Sequence, residues 1–147
     1  MTIPNIFLAL GLGAIISIYF PMIAQSAKIL GSGPLANVPF FGIAFAASIA
    51  IALATGNRLG DLKKVPEIPP WLLTAGIMSA GLIIGSSYII PRIGIGPFFV
   101  LLVAGQVLAG MVFGQLGLFG MAASPLTFAK IGGAAMVVGG VYLVTTG

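Results

Sequence analysis

Along the chain, uncharged apolar runs alternate with short interruptions that are charged or rich in glycine and proline. A bilayer core of roughly 30 Å is crossed by about 20 apolar helical residues, so the length of each run can be read directly as a span. The first run covers residues 3–27 and stops at Lys28. The second covers 35–56, carries the small residues Ala46, Ala50 and Ala54, and stops at Asn57 and Arg58. Residues 57–70 then gather Arg58, Asp61, Lys63, Lys64 and Glu67 with Pro66, Pro69 and Pro70, which makes them a solvated polar loop. Trp71 follows the proline pair directly: proline suits a helix start, where its missing N–H is not needed, and the indole suits headgroup depth.

Residues 71–113 hold one charge, Arg92, in 43 residues. As one helix they would extend about 65 Å, twice the bilayer core, so they must form two spans. Two prolines, two glycines and the cation in Pro91-Arg92-Ile93-Gly94-Ile95-Gly96-Pro97 place the break between 71–90 and 96–113. After a connection in which Ser124, Pro125 and Thr127 resemble a helix-start signal, a fifth span covers 128–145. A β-barrel would need segments of about ten residues alternating in polarity, and the run IGGAAMVVGGVYLV does not alternate. The N-terminal run lacks a basic n-region and is too long for a signal-peptide core, so it is expected to be a retained helix. The expected fold is an all-α integral membrane protein of five transmembrane helices in a single transmembrane domain.

Composition agrees with this reading and narrows the chemistry. Lys and Arg number 6 and Asp and Glu 2 in 147 residues, a charged fraction of 5%, where a soluble domain carries roughly 25%. Mean hydropathy is +1.21 and glycine numbers 22, as expected where small residues let membrane helices approach closely. A soluble globular domain and a disordered chain are both excluded. Cys and His are absent, which removes disulfides, thiol nucleophiles, imidazole bases and most zinc or iron sites, so no cofactor is expected. The only carboxylate side chains, Asp61 and Glu67, lie in the polar loop, and no catalytic arrangement is recognisable, so an enzyme is not expected. The net charge of +4 is too dispersed to make a nucleic-acid patch; these cations read as anchors at a lipid surface.

With five spans, one side of the membrane collects Arg58, Lys63, Lys64 and Lys130 and the other Lys28 and Arg92. Four against two is a weak bias toward a cytoplasmic N-terminus, small enough to permit mixed orientation. Many transporters join two inverted copies of one unit around a midplane site. Five helices cannot contain two five-helix copies, so a transporter of this size needs a second chain. An antiparallel homodimer of a dual-topology protein supplies it, and a parallel dimer or a separate paired protein stays open.

Several motifs occur in a recognisable order: Pro91-Arg92-Ile93-Gly94, Gly105-Gln106, Gly117-Leu118-Phe119-Gly120, Pro125-Leu126-Thr127, Lys130-Ile131-Gly132 and Gly140-Val141-Tyr142-Leu143. In order and spacing over residues 85–145 the chain resembles the YdcZ family, the half-size members of the drug/metabolite transporter superfamily. Gly33-Pro34-Leu35 before the second span is similar to that family's Gly-Ser-Pro-Leu helix start. Gln25 stands where the family often has Asn, and Gly114 followed by Gln115 stands where it often has an acidic residue. The resemblance implies a five-helix protomer, half of a ten-helix dimer in the bacterial inner membrane, that transports a small solute.

Gln106 is the leading site candidate, because an amide in a run of apolar and small residues is expensive unless it finds a partner. A solute contact and an interhelical hydrogen bond are the two readings. Tyr19 and Tyr88 join an apolar ring to one donor, as a cavity for an organic solute would, although tyrosine is also an ordinary interface residue. Ser87 and its neighbour Ser86 can line a cavity or bond their own helix carbonyls. Arg92 is read as a snorkelling cation or an anion contact, and Gln25 lies one turn from Lys28 near the mouth of the first span. No span contains a carboxylate, which disfavours proton-coupled export of cations, so the expected solute is neutral, zwitterionic or anionic. A non-transporting subunit packed against a larger partner is the alternative from another class, and a channel would lack a ring of charge for selectivity.

Overall fold

The computed structural model describes residues 3–120 and 122–147, and of Phe119 the backbone alone. The Phe119 side chain of the Gly117-Leu118-Phe119-Gly120 motif therefore lies outside the description. Among the described residues the regular structure is entirely helical: α1 (Ile3–Leu30), α2 (Gly33–Ala54), a 3₁₀ segment (Leu59–Glu67), α3 (Pro70–Leu73), α4 (Ala75–Ile93), α5 (Ile95–Leu116), a short 3₁₀ turn (Leu118–Gly120) and α6 (Phe128–Thr146). Five stretches are long and apolar enough to cross a membrane: Ile3–Leu30, Gly33–Ala54, Pro70–Ile93, Ile95–Leu116 and Phe128–Thr146.

The helix ends differ from the expected ones for identifiable reasons. Lys28 does not stop α1, which runs on to Leu30, because a cation in the last turn is stabilised by the negative end of the helix dipole. The same holds for Arg92, the penultimate residue of Ala75–Ile93. Within the expected break only Gly94 is non-helical, at φ 86°, a conformation that suits glycine. Pro97 falls in the first turn of α5, where no N–H is required. In the polar loop, Asp61 accepts the Arg58 N–H at 3.2 Å and caps the 3₁₀ segment.

The chain divides into two compact units, Met1–Pro91 and Arg92–Gly147. In the first, α1 lies along α2. A two-residue link of Gly31, at φ 65°, and Ser32 joins them, with the Ser32 Oγ accepting the Leu35 N–H at 3.3 Å as the α2 N-cap. Phe20, Ile23, Ala24 and Ala27 are buried on α1, and Ile83, Ser86, Ser87 and Ile90 on α4. Both sets follow the spacing i, i+3, i+4, i+7, one stripe of a helix. Small residues bring α2 and α4 together: a Cβ built on Gly33 would meet the Ser87 Cβ at 3.6 Å, and the Asn37 amide donates to the Ala80 carbonyl at 3.1 Å. The two contacts run in opposite chain directions, so α2 and α4 are antiparallel.

In the second unit α5 lies along α6. Gly117, in the left-handed region at φ 60°, ends α5. The connection then folds back onto that helix end, with the Ser124 N–H donating to the Gly114 carbonyl at 2.8 Å and the Leu126 N–H to the Gln115 Oε1 at 2.6 Å. Thr127 caps α6 by accepting the Lys130 N–H at 3.3 Å.

Candidate solute groove

The folded-back connection borders a concavity of the second unit. Between α5 and α6 lies a groove of about 520 Å³. Gly110, Gly114 and Gly133 keep its floor free of side chains, Val107, Met111, Leu126 and Val137 supply apolar walls, and Gln106, Ser124 and Lys130 bring the polar groups. Gln106 is exposed, and among the described residues its amide makes no hydrogen bond. At the Gly114 end, the Lys130 ammonium donates to the Ser124 Oγ and to the Pro125 carbonyl, each at 2.7 Å. Groove size and lining, mostly apolar with a few polar groups, fit an organic molecule of drug-like dimensions.

The first unit carries a smaller groove of about 260 Å³ between α1 and α2, bordered by Tyr19, Met22, Ser26, Pro39, Phe40 and Ile43 among others. Tyr19 stacks on Phe40 at 5.9 Å between centroids and 20° between planes, and meets Phe20 edge-on at 4.7 Å. Its ring is thus held between two neighbours, an offset and a T-shaped contact of the kinds aromatic pairs prefer.

The remaining predicted positions lie elsewhere. Ser87 is buried in the α2–α4 seam, and its hydroxyl donates to the Ile83 carbonyl at 2.9 Å; Ser86 uses the same acceptor at 2.8 Å. Tyr88 is 60% exposed, one residue round from that stripe. Gln25 is exposed on α1, off the stripe of Phe20, Ile23, Ala24 and Ala27, and Arg92 is exposed in the last turn of α4. In the first unit, then, Tyr19 borders a groove while Ser87 serves a helix contact.

Two residues were not singled out from the sequence. Asn37 is only 6% exposed, donates across to α4, and leaves its Oδ1 buried with no partner. The signal was present: Asn37 is an amide inside an apolar span, the same argument that selected Gln106. Lys130 was read as an orienting charge and as part of the Lys130-Ile131-Gly132 motif, and nothing local in the sequence shows that it borders a groove.

Five membrane-length helices among the described residues, apolar over nearly all their exposed surface, define a polytopic membrane protein. Residues 5–143 match the family model described as "Putative inner membrane exporter, YdcZ". The chain belongs to this family, which makes it an inner-membrane protein of an exporter group acting on small solutes. No curated protein and no solved structure matches it.

Proposed function

We propose that the chain, as a single transmembrane domain, is one protomer of a dimeric small-solute exporter that works by alternating access, and that the α5–α6 groove contacts the solute through Gln106. The observation that carries the reading is an unpartnered amide on an apolar groove in a chain of an exporter family. A polar group exposed in such a span is retained where something must bind it or pass it.

Dimerisation is supported by how little of each span the protomer buries. No more than 22% of the most apolar window of any span is buried, which leaves broad faces for lipid or a second copy. The weak charge bias supports the antiparallel, dual-topology form, giving ten helices with inverted halves. The inventory of side chains supports transport over catalysis, and the confinement of Asp61 and Glu67 to the loop favours a neutral, zwitterionic or anionic solute over a cation. Tyr19, Tyr88, Gln25, Ser87 and Arg92 are secondary candidates for the solute path.

The test joins topology to flux. Tags at both termini, mapped from each side of the membrane, are expected to report both orientations, and purified protein in proteoliposomes is expected to be dimeric and to move solute. A monomer that moves nothing and co-purifies with a stoichiometric larger protein would replace this reading with that of an accessory subunit.

A further inference from the structure

Lys130 is half-buried, and both groups that accept from its ammonium, the Ser124 hydroxyl and the Pro125 carbonyl, are neutral. The second unit contains no Asp or Glu; the chain's two carboxylate side chains lie at Asp61 and Glu67 in the first. The charge is therefore solvated by dipoles but not neutralised by its own unit. Nor does helix stability call for it: Lys130 stands in the first turn of α6, the end at which a cation opposes the helix dipole. An ammonium has three donors, two are used, and Lys130 with its acceptor Ser124 borders the groove.

We infer that the α5–α6 groove binds an amphiphilic anion, its carboxylate or phosphate head at Lys130 and its apolar body lying along the glycine floor toward Gln106. This deepens the proposed function and rests on its reading of the groove as the solute site. The geometry sets the length of the body. The ammonium is tied to Ser124, whose Cβ lies 3.8 Å from where a Cβ on Gly114 would stand, so the cation marks the Gly114 end. Gln106 lies eight residues earlier on the same helix, about 12 Å along the axis. A straight chain of roughly ten carbons covers that distance, whereas inorganic phosphate or acetate would leave the groove walls unused.

The full-length protein in phosphatidylcholine nanodiscs, with empty discs subtracted, is titrated with radiolabelled decanoate and competed with decyl phosphate, decanol and decylamine. Decanoate and decyl phosphate are expected to bind, decanol about tenfold or more weakly, which is what loss of a hydrogen bond to a charged group is worth. Decylamine is expected not to compete. Lys130→Gln should lower decanoate affinity by a similar factor and leave decanol unchanged, and Lys130→Arg should restore decanoate binding. Lys63→Gln, in the polar loop and outside the groove, removes one cation and should bind decanoate as the wild type does, which separates loss of the Lys130 ammonium from a change in the chain's net charge. Decanol competing as well as decanoate, or Lys130→Gln binding decanoate unchanged, overturns the inference. Repeating the titration with phosphatidylglycerol in the disc separates the two sources of such an anion: displacement of decanoate identifies the occupant as a lipid phosphate, and no displacement identifies it as a free organic anion. Decanoate binding without any efflux from proteoliposomes would overturn the transport reading and leave the anion site standing. Efflux that needs Gln106 but is indifferent to Lys130 would do the reverse.

Discussion

Asn37 and Gln106 are both amides in apolar helices, and the two units of the chain use them in opposite ways. In the first unit, Gly33 and Ser87 let α2 and α4 approach, and the Asn37 side chain reaches the Ala80 carbonyl and is buried. In the second, Gly110, Gly114 and Gly133 remove side chains from facing positions without closing the gap, and Gln106 is left on an open groove. Small residues produce a contact in one place and a cavity in the other. The difference is what stands opposite them: a serine Cβ at 3.6 Å in the seam, and beside the groove the folded-back connection that Gln115, Ser124 and Lys130 tie down. An amide is consumed by structure where a carbonyl of a neighbouring helix stands within its reach and is free for a ligand where none does.

This contrast can be broken by substitution. The largest effect on export is expected from Gln106→Ala, which should reduce solute export in proteoliposomes by about tenfold, the worth of a hydrogen bond to a ligand. Its unfolding midpoint in mixed detergent micelles should barely move. Loss of stability without loss of export would reverse the roles assigned to the two amides. Next is Gly33→Leu, which drives a branched side chain into Ser87 and Ile84 and is expected to destabilise the first unit by about 2 kcal/mol, measured as the unfolding free energy in bilayer or micelle. Gly33→Ala should be tolerated, since 3.6 Å is an ordinary carbon contact.

Asn37→Ala should lower stability by only about 0.6 kcal/mol, a usual value for an interhelical hydrogen bond in a membrane protein. Removing the amide also removes its unpartnered oxygen, which offsets part of the lost bond. Export per folded protein should stay at the wild-type level, and a large drop there would place Asn37 in the solute path. The smallest effect is expected for Tyr19→Phe, which keeps the ring stacked on Phe40 and removes only the hydroxyl. Stability should change by less than about 0.5 kcal/mol, as for most substitutions that remove no packing. A clear loss of export would mean that the hydroxyl, not the ring, meets the solute.

Much of the fold was legible because a membrane asks a one-dimensional question. Span length is set by bilayer thickness and hydrogen bonding must close within each helix, so the five apolar runs and the break near Gly94 could be read without knowing any neighbour. Helix ends were read less well. Lys28 and Arg92 look like stops on a hydropathy scale, yet each is stabilised in a last helical turn. At the candidate site, Gln106 was legible from the oddity of an amide in its run. Asn37 carried the same oddity, but its partner stands 43 residues away and belongs to a pairing no local pattern announces.

The sequence alone therefore determined the class, the number of spans, the confinement of Asp61 and Glu67 to one loop, and the resemblance to an exporter family, because each depends on residue type and order along the chain. The tertiary structure decided which polar groups are spent and which are exposed: Asn37 and Ser87 in a closed seam, Gln106 and Lys130 on an open groove. That choice depends on which groups stand within reach of each side chain, set by the approach of Gly33 to Ser87 in one unit and by a connection folding back on its helix in the other, and neither is local in the chain.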